Sequence, residues 1–403
     1  MKRSPDYRWA LVGALGLTEM ISWGVLYYGY AIFMRPMQLE LHLSRTQVSG
    51  AFSLGLAVSG VAAVPVGRWL DRHGSRGLMT VGSVASAALC LAWSRVTSIA
   101  ALCIVWIGLG ASMAAVLYEP AFAAVAGWFR HDRRTAFTVL TVLAGLAGIV
   151  FVPLSAWLTV THGWRHAVAF DAFMLATTIP IHASMLRPPP LDGDASALLA
   201  TMEKAPAEPS LLRDRTLQTL ALSFTLSYTA TVAIGTHLIA LLTERGHDAR
   251  SSALAMASVE LIALPARVLF ARLAAGASLE KLTGLMMALQ AAGICALAVS
   301  HHRAAVWIYV ALFGIGFGTM TPARAMLVAD LFPLHRYGRV SGYLAVFLAG
   351  SRAVGPVTVG ALRDLTGSYT AVLMMLTLGC VIGAMALWRL GRKRPLLALE
   401  KPT

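Results

Sequence analysis

Charged residues are scarce in this sequence, and their scarcity excludes an ordinary soluble domain. Only 13% of the 403 residues are Asp, Glu, Lys or Arg, whereas 57% are hydrophobic. A soluble globular domain carries about 25% charged residues. Long apolar runs recur along the chain, and about 20 residues of helix cross the hydrocarbon core of a bilayer. The composition therefore predicts an all-α polytopic membrane protein.

Cysteines and catalytic motifs are scarce as well. The sequence has four cysteines, all inside apolar runs: Cys90, Cys103, Cys295 and Cys380. Cysteines in such surroundings usually behave as small hydrophobic residues, and these four have no metal-ligand spacing. The sequence also shows no nucleophile–base arrangement, phosphate-binding loop or metal cluster. We therefore expect neither an enzyme nor a bound metal or other cofactor.

Acidic residues are fewer than basic ones, 19 against 33, which gives a net charge of +14. The basic residues occupy short segments between apolar runs rather than one polar face, which argues against a nucleic-acid partner. With the N-terminus inside, most of them lie in cytoplasmic loops, as the positive-inside rule requires. We expect a multi-pass protein of the inner membrane, surrounded by lipid, with both termini in the cytoplasm.

The apolar runs predict twelve transmembrane helices in two halves. One polar, proline-rich stretch, 187–215, is typical of a flexible cytoplasmic linker. It separates an N-terminal six-helix bundle (1–186) from a C-terminal one (216–403), and the two halves repeat weakly in sequence. Two six-helix repeats are the layout of a transporter whose central site opens alternately to each side. The predicted spans are 9–34, 46–68, 78–94, 98–128, 135–160, 167–186, 217–242, 251–272, 283–300, 304–331, 339–361 and 369–389.

The loop predicted between spans two and three carries the strongest motif, Gly67-Arg68-Trp69-Leu70-Asp71-Arg72-His73-Gly74-Ser75-Arg76. It resembles the signature loop of the major facilitator superfamily, G-x-x-x-D-[RK]-x-G-[RK]-[RK], with Ser75 where a basic residue is usual. The resemblance implies the major facilitator fold, two pseudo-symmetric six-helix bundles. It also implies a gating role for Gly67, Asp71, Arg72, Gly74 and Arg76. The alternative is an ordinary basic loop that obeys the positive-inside rule.

Two further segments are similar to the monocarboxylate transporters and their bacterial oxalate:formate relatives. Glu19-Met20-Ile21-Ser22-Trp23-Gly24 resembles that family's [DE]-G-[GS]-[WF]-[GA]-W, with the acid displaced by one position. Trp128-Phe129, followed by Arg133-Arg134, partly matches Y-F-x-[KR]-[RQ]-R. The oxalate transporters carry a basic residue in span eleven and an arginine in span eight. The resemblance therefore makes Arg352 and Arg267 candidates for binding a carboxylate substrate.

Charge within a span gives an independent reason to single out these arginines. A charged side chain at mid-bilayer costs about 2.5–3.5 kcal/mol or more, so it marks a candidate site. Arg352 lies near the middle of span eleven, and its planar guanidinium suits a carboxylate. Arg267 lies in span eight, seven residues after Glu260. Arg267 can bind substrate, or it can be a structural partner of Glu260 or reach to the interface; both interpretations stay open.

Span one carries a polar and aromatic stripe. Glu19, Trp23, Tyr27 and Tyr30 follow helical spacing on one face of span one, and with the adjacent Tyr28 they can line a cavity. Tyr228 is the corresponding aromatic candidate in span seven. The alternative for the tyrosines is an aromatic belt at the outer interface. The candidates for proton coupling are Glu19, Glu260 and Glu119, although a structural charge network with Arg324 is the favoured interpretation for Glu119.

These observations predict an alternating-access carrier for a small organic anion, a mono- or dicarboxylate, that functions as a monomer. Coupling is expected either to protons or to exchange of a second anion. A proton-driven exporter of drugs or other hydrophobic compounds is the alternative transporter, and its binding site would rely on acids and aromatic residues. A transporter-like receptor without flux is the alternative from another class.

Overall fold

The chain is helical throughout the residues that the computed structural model describes, 5–129, 132–187, 211–300 and 302–393, and these ranges contain no β-strand. A π-helical turn, Gly24–Tyr28, joins the first two helices, and short 3₁₀ turns occupy Leu211–Arg213 and Leu334–Arg336. The helices are α1 (Pro5–Trp23), α2 (Gly29–Glu40), α3 (Arg45–His73), α4 (Ser75–Trp93), α5 (Ile99–Val116), α6 (Tyr118–Trp128), α7 (Arg133–Gly145), α8 (Ala147–His162), α9 (Trp164–Met185), α10 (Arg215–Glu244), α11 (Ala249–Ala274), α12 (Leu279–Val299), α13 (Arg303–Leu331), α14 (Tyr337–Thr366) and α15 (Tyr369–Lys393).

Short polar residues set many of the helix boundaries. The side chains of Ser44, Ser98, Asp214, Asp248 and Ser278 each accept a hydrogen bond from a backbone N–H in the first turn of the helix that follows. Such a cap satisfies a donor that would otherwise have no intrahelical partner. These capping residues explain why the helices begin where they do.

Eleven helical segments in the described ranges are long and apolar enough to cross a membrane. Three of them join two helices with an irregular turn between: Tyr7–Glu40, Ile99–Trp128 and Arg133–His162. The predicted span 339–361 lies within α14, an additional helix of 30 residues. The prediction of an all-α polytopic protein is confirmed. Most of the predicted linker 187–215, namely 188–210, lies outside the described residues.

Packing groups the chain into two compact units. The first contains Met1–Leu211 and Val328–Ala349, and the second contains Leu212–Leu327 and Gly350–Thr403. The core of the first unit is rich in large aromatic side chains such as Trp93 and Trp106, whose rings lie edge to face with centroids 5.1 Å apart. The core of the second unit is mainly aliphatic.

Glycines allow the closest helix approaches within the first unit. A Cβ atom on Gly110 of α5 would overlap the backbone oxygen of Gly55 on α3. Only glycine lets two helix backbones come this near. The contact fixes α5 against α3, and α5 leads directly into α6, which carries Glu119.

Candidate functional site

The predicted gating motif lies on helices rather than in a loop, which corrects the expected placement. Gly67, Asp71 and Arg72 belong to the last two turns of α3, which continues to His73. Gly74 alone makes the turn, with a φ of 73° that favours glycine, and α4 begins at Ser75. Arg76, in the first turn of α4, donates from Nε to the backbone oxygen of Ala183 at 2.8 Å.

Asp71 caps the N-terminus of another helix, α14, within the first unit. Its Oδ1 accepts from the backbone N–H of Gly338 at 2.7 Å. Its Oδ2 accepts from the backbone N–H of Arg339 at 3.0 Å and from that residue's Nε at 3.1 Å. A carboxylate at a helix N-terminus satisfies unpaired N–H groups and complements the helix dipole. The acid therefore ties the end of α3 to the start of α14.

Gly67 permits this contact. A Cβ atom on Gly67 would overlap the backbone oxygen of Gly338, and a Cβ on Gly338 would meet the Asp71 carboxylate. The motif thus needs glycine for close approach at Gly67 as well as for the turn at Gly74. Arg72 is exposed beside these residues.

A second set of contacts links α7 to the end of α13, also within the first unit. Arg134 pairs with Asp330 at 2.7 Å. Arg133 donates from Nε to the backbone oxygen of Phe129 at 2.9 Å and from Nη1 to that of Ala329 at 3.1 Å. The Arg133-Arg134 segment singled out in the sequence therefore contacts a segment almost 200 residues later in the same chain.

Glu19 is completely buried in α1. Trp23, one turn later, donates from its indole nitrogen to Glu19 Oε2 at 3.1 Å. Among the described residues, Glu19 Oε1 has no hydrogen-bond partner. The Trp23 ring packs on Tyr27 with centroids 5.4 Å apart, so the predicted stripe of acid and aromatic residues is continuous.

The π-helical turn carries two tyrosines of this stripe. It holds Tyr27 and Tyr28, whose rings lie edge to face with centroids 5.4 Å apart. The membrane-length segment extends from Tyr7 to Glu40, well beyond the predicted end of span one. Tyr27 and Tyr28 therefore lie past the midpoint of this segment, and both the cavity and the interfacial belt stay open as explanations for them.

Glu119 follows a break in the predicted span four. Leu117 is extended, with φ −85° and ψ −168°, and Glu119 lies in the first turn of α6. Its carboxylate is close enough to interact electrostatically with Glu19. Two neighbouring carboxylates repel each other when both are ionised, so a proton on one of them relieves the repulsion. Discontinuous membrane helices also leave backbone groups available to solutes.

In the second unit, Arg267 is buried on α11, with 8% of its surface exposed. Its Nε donates to the backbone oxygen of Gly318 on α13 at 3.1 Å. It also interacts electrostatically with Glu260, which lies at an exposed position two turns earlier on the same helix. Arg267 thus has structural contacts within the second unit.

Arg352 and Tyr228 also belong to the second unit. Arg352 lies at the midpoint of α14 and is half-buried. The neighbouring Ser351 donates to the backbone oxygen of Thr225 on α10 at 3.2 Å. Tyr228, one turn further along α10, shares a hydrogen bond of 3.2 Å with Thr321 on α13. Arg324, on α13, is 5% exposed.

Sequence reasoning missed several polar residues that are buried or that form hydrogen bonds and ion pairs between helices. Asp330 and Arg339 pair with Arg134 and Asp71, which lie 196 and 268 positions away in the sequence. Local charge patterns cannot reveal partners at such separations. Gln290, which accepts from Ser227 at 2.6 Å, is uncharged and gave no signal. Asp171 is different, because it lies inside the predicted span 167–186 and a charge within a span is itself a signal. No group of three or more potential metal-ligating side chains occurs in the described residues.

The sequence is similar to those of several named transporters along most of its length. Monocarboxylate transporter 13 of Rattus norvegicus is 24% identical over 376 residues, which cover 91% of this chain and 85% of the relative. MFS transporter asaE of Aspergillus flavus is 25% identical over 382 residues, with 90% and 81% covered. Monocarboxylate transporter 11 of Mus musculus is 24% identical over 416 residues, with 97% and 89% covered.

Solved structures have the same fold. The human organic anion transporter MFSD10 superimposes with a TM-score of 0.75 and 16% identity, covering 96% of this chain and 100% of that one. The Escherichia coli fucose:proton symporter FucP gives a TM-score of 0.74 and 13% identity, with 95% and 98% covered. The family model described as Major Facilitator Superfamily matches residues 14–356 and 279–403. The chain therefore belongs to the major facilitator superfamily, with the monocarboxylate transporters among its distant relatives.

Proposed function

We propose that this protein is a secondary active transporter of a small organic anion, a mono- or dicarboxylate. The observation that carries the proposal is the distribution of charge within the membrane-length helices. Arg267, Arg324 and Arg352 belong to the second unit, whereas Glu19 and Glu119 belong to the first. Arginines retained at such depth need an anionic partner or ligand. Relatives named monocarboxylate transporters agree with an anionic substrate.

In this proposal the arginines bind the substrate's charge. Arg352 offers a planar fork that can hold both oxygens of one carboxylate. Arg267 contributes a second cation, with one of its donors already bound to Gly318. Tyr228 supplies a hydroxyl and an aromatic edge in the same unit. Trp23, Tyr27 and Tyr28 supply the polar-aromatic wall of the first unit.

The acids bind the proton that accompanies the anion. Glu19 and Glu119, both in the first unit, are two candidates for binding this proton. Glu260 is the third candidate, held near Arg267. A net movement of one anion with one proton is electrically neutral. Anion exchange through the same arginines is the alternative form of coupling.

The wider setting is part of the proposal. Residues 1–186 and 216–403 form the two six-helix halves of an alternating-access carrier, and 187–215 links them in the cytoplasm. The protein acts as a monomer in the inner membrane with both termini inside. The Asp71 cap on α14 stabilises one of the alternating states.

A counterflow assay tests the proposal. The purified protein is reconstituted into proteoliposomes that are loaded with unlabelled mono- and dicarboxylates, amines or sugars. Entry of the corresponding labelled compound is then followed. We expect carboxylates to exchange. Arg352→Gln should abolish exchange, and Arg352→Lys should weaken carboxylate affinity about tenfold, a loss of about 1.4 kcal/mol. Arg303→Gln is the matched control, because Arg303 is exposed at the start of α13.

Thermal melting of each variant separates binding from structure. If Arg352→Gln melts early but still binds carboxylates normally, Arg352 is structural and the anion proposal loses its support. Exchange of amines but not carboxylates would favour the drug exporter instead. Absence of any counterflow from a well-folded wild-type protein would favour a receptor.

A further inference from the structure

Asp171 is an ionisable residue that the proposed transport mechanism does not use. It lies in α9 and is completely buried. Neither carboxylate oxygen has a hydrogen-bond partner among the described residues. An ionised carboxylate without a partner in apolar surroundings is very costly, whereas a neutral carboxylic acid is tolerated. The burial therefore favours a proton on Asp171 in this conformation.

The surroundings of Asp171 offer little to stabilise a negative charge. Ser155 on α8 is its polar neighbour, and the Ser155 hydroxyl is also buried without a hydrogen-bond partner in the described part of the chain. The titratable group that faces it from α4 is the Cys90 thiol, which is directed to the backbone oxygen of Val168. From α2 it faces Gly29, where a Cβ atom would stand 3.5 Å from Asp171 Oδ2.

Several other ionisable groups on the helices around Asp171 have partners elsewhere. Arg165, in the first turn of α9, pairs with Glu40 at the end of α2, with 2.7 Å between Nε and Oε1. Tyr30 on α2 donates to the backbone oxygen of Val48 on α3. Glu19 on α1 bonds to Trp23. His182, about three turns beyond Asp171 on α9, shares a hydrogen bond of 2.8 Å with Ser83.

Gly29 connects Asp171 to the aromatic stripe. Its backbone N–H bonds to the oxygen of Gly24 and so closes the π-helical turn that carries Tyr27 and Tyr28. π-helical turns are often found at functional sites, where the helix can be rearranged. An ionised carboxylate beside Gly29 would demand donors or water, and the turn would have to shift to admit them.

We propose that Asp171 is a proton-binding residue that controls the π-helical turn: its neutral form holds the turn in the shape described here, and proton release to water rearranges it. The O–H bond of the acid breaks, the proton passes to water, and the carboxylate remains. Asp171 acts through Gly29, so it is a positioning residue for Tyr27 and Tyr28. Its link to substrate movement rests on the proposed function, whereas its protonation does not.

Infrared spectroscopy of the purified full-length protein tests protonation without any substrate. The neutral side chain gives a carboxylic acid carbonyl band that Asp171→Asn removes. Glu19→Gln is the matched control, because it neutralises another fully buried acid of the same unit and should leave the Asp171 band in place. We expect Asp171→Asn to melt like wild type, since the amide has the shape of the neutral acid. An unchanged band in Asp171→Asn would overturn the proposal.

Transport in proteoliposomes tests the coupling. In the wild-type protein, an inward proton gradient should stimulate substrate uptake about tenfold, which is within the usual range of coupling between two sites. In Asp171→Asn, counterflow should continue, but the proton gradient should no longer stimulate uptake. Retained stimulation would overturn the coupling role. If Asp171→Asn does not fold, Ser155→Ala provides the test. Loss of the Ser155 hydroxyl disfavours the ionised form of Asp171, so the pH dependence of transport should move to higher pH. An unchanged pH dependence would contradict the proposal. A wild-type protein that shows the Asp171 band but no anion counterflow would refute the proposed substrate alone.

Discussion

Removing the Asp71 carboxylate should destabilise the first unit much more than removing its partner side chain. Two of the three hydrogen bonds that Asp71 accepts come from the backbone N–H groups of Gly338 and Arg339. These donors remain in Arg339→Ala but lose their acceptor in Asp71→Ala. The Asp71 side chain is 8% exposed, whereas that of Arg339 is 36% exposed. The two substitutions therefore perturb a buried cap and a partly solvated ion pair, respectively.

The magnitudes follow from this difference. Breaking one side of a buried charged contact costs about 3–5 kcal/mol, and we expect Asp71→Ala to fall in that range. An ion pair open to solvent contributes about 1 kcal/mol or less, so Arg339→Ala should cost about that much. Asp71→Asn keeps one acceptor oxygen and should lose about 2 kcal/mol, the typical value for a hydrogen bond to a charged group. It should still insert, with reduced flux, because one transport state loses a stabilising contact.

A double-mutant cycle measures the two terms. Denaturant unfolding of the purified protein in detergent gives the free energy of unfolding for Asp71→Ala, Arg339→Ala and the double variant. The coupling energy should be about 1 kcal/mol, well below the cost of Asp71→Ala alone. Equal costs for the two single variants would show that the ion pair, and not the backbone cap, carries the contact. Normal stability together with normal flux in Asp71→Asn would refute both parts of the reasoning.

Two other predictions concern packing and topology. Gly110→Ala should destabilise the protein by about 1–3 kcal/mol in the same unfolding assay, because the added methyl overlaps the backbone of Gly55. Gly50→Ala is the control and should not destabilise the protein, since a Cβ atom there meets nothing within 4 Å. Single cysteines in the linker 187–215 should react with an impermeant thiol reagent only from the cytoplasm, and one at His162 only from outside. The same accessibility for both sites would contradict the twelve-span topology.

The helices were predictable because the bilayer imposes a strong local requirement. About 20 consecutive apolar residues are needed for each crossing, so hydropathy alone locates most of the spans. Boundaries were less predictable, since polar residues can continue a helix beyond the hydrocarbon core. Asp71 and Arg72 are the clearest case: their charge suggested a loop, whereas α3 continues through both and ends at His73. The capping interaction with α14 explains why Asp71 is held on a helix end.

The candidate site was only partly predictable. Glu19, Trp23 and Tyr27 share a helix face, and short-range spacing is enough to show that. The neighbour of Glu19 across the unit, Glu119, depends on how two helices pack, which spacing does not encode. The irregular turns at Gly24–Tyr28, Leu117 and Leu146 were also not expected, because their residues are ordinary for a membrane helix.

Asp171 shows a different shortfall. The cost of charge within a span was applied to the arginines and glutamates, and the same rule selects Asp171 from the sequence. The sequence does not show that Asp171 is fully buried, or that it lies beside Gly29 at the end of the π-helical turn. A buried acid on a helix remote from the aromatic stripe in sequence becomes relevant only through that contact.

The division of charge between the two units has a consequence for how the steps of transport can be separated. The acids Glu19 and Asp171 are buried in the first unit, whereas Arg267 is held by a contact within the second. If protons bind to one set and the anion to the other, neutralising an acid should alter the pH dependence and leave anion affinity nearly unchanged. Neutralising Arg352 should do the opposite. Each unit would then carry one ligand, and coupling would reside in the conformational change that both ligands bias rather than in direct contact between them.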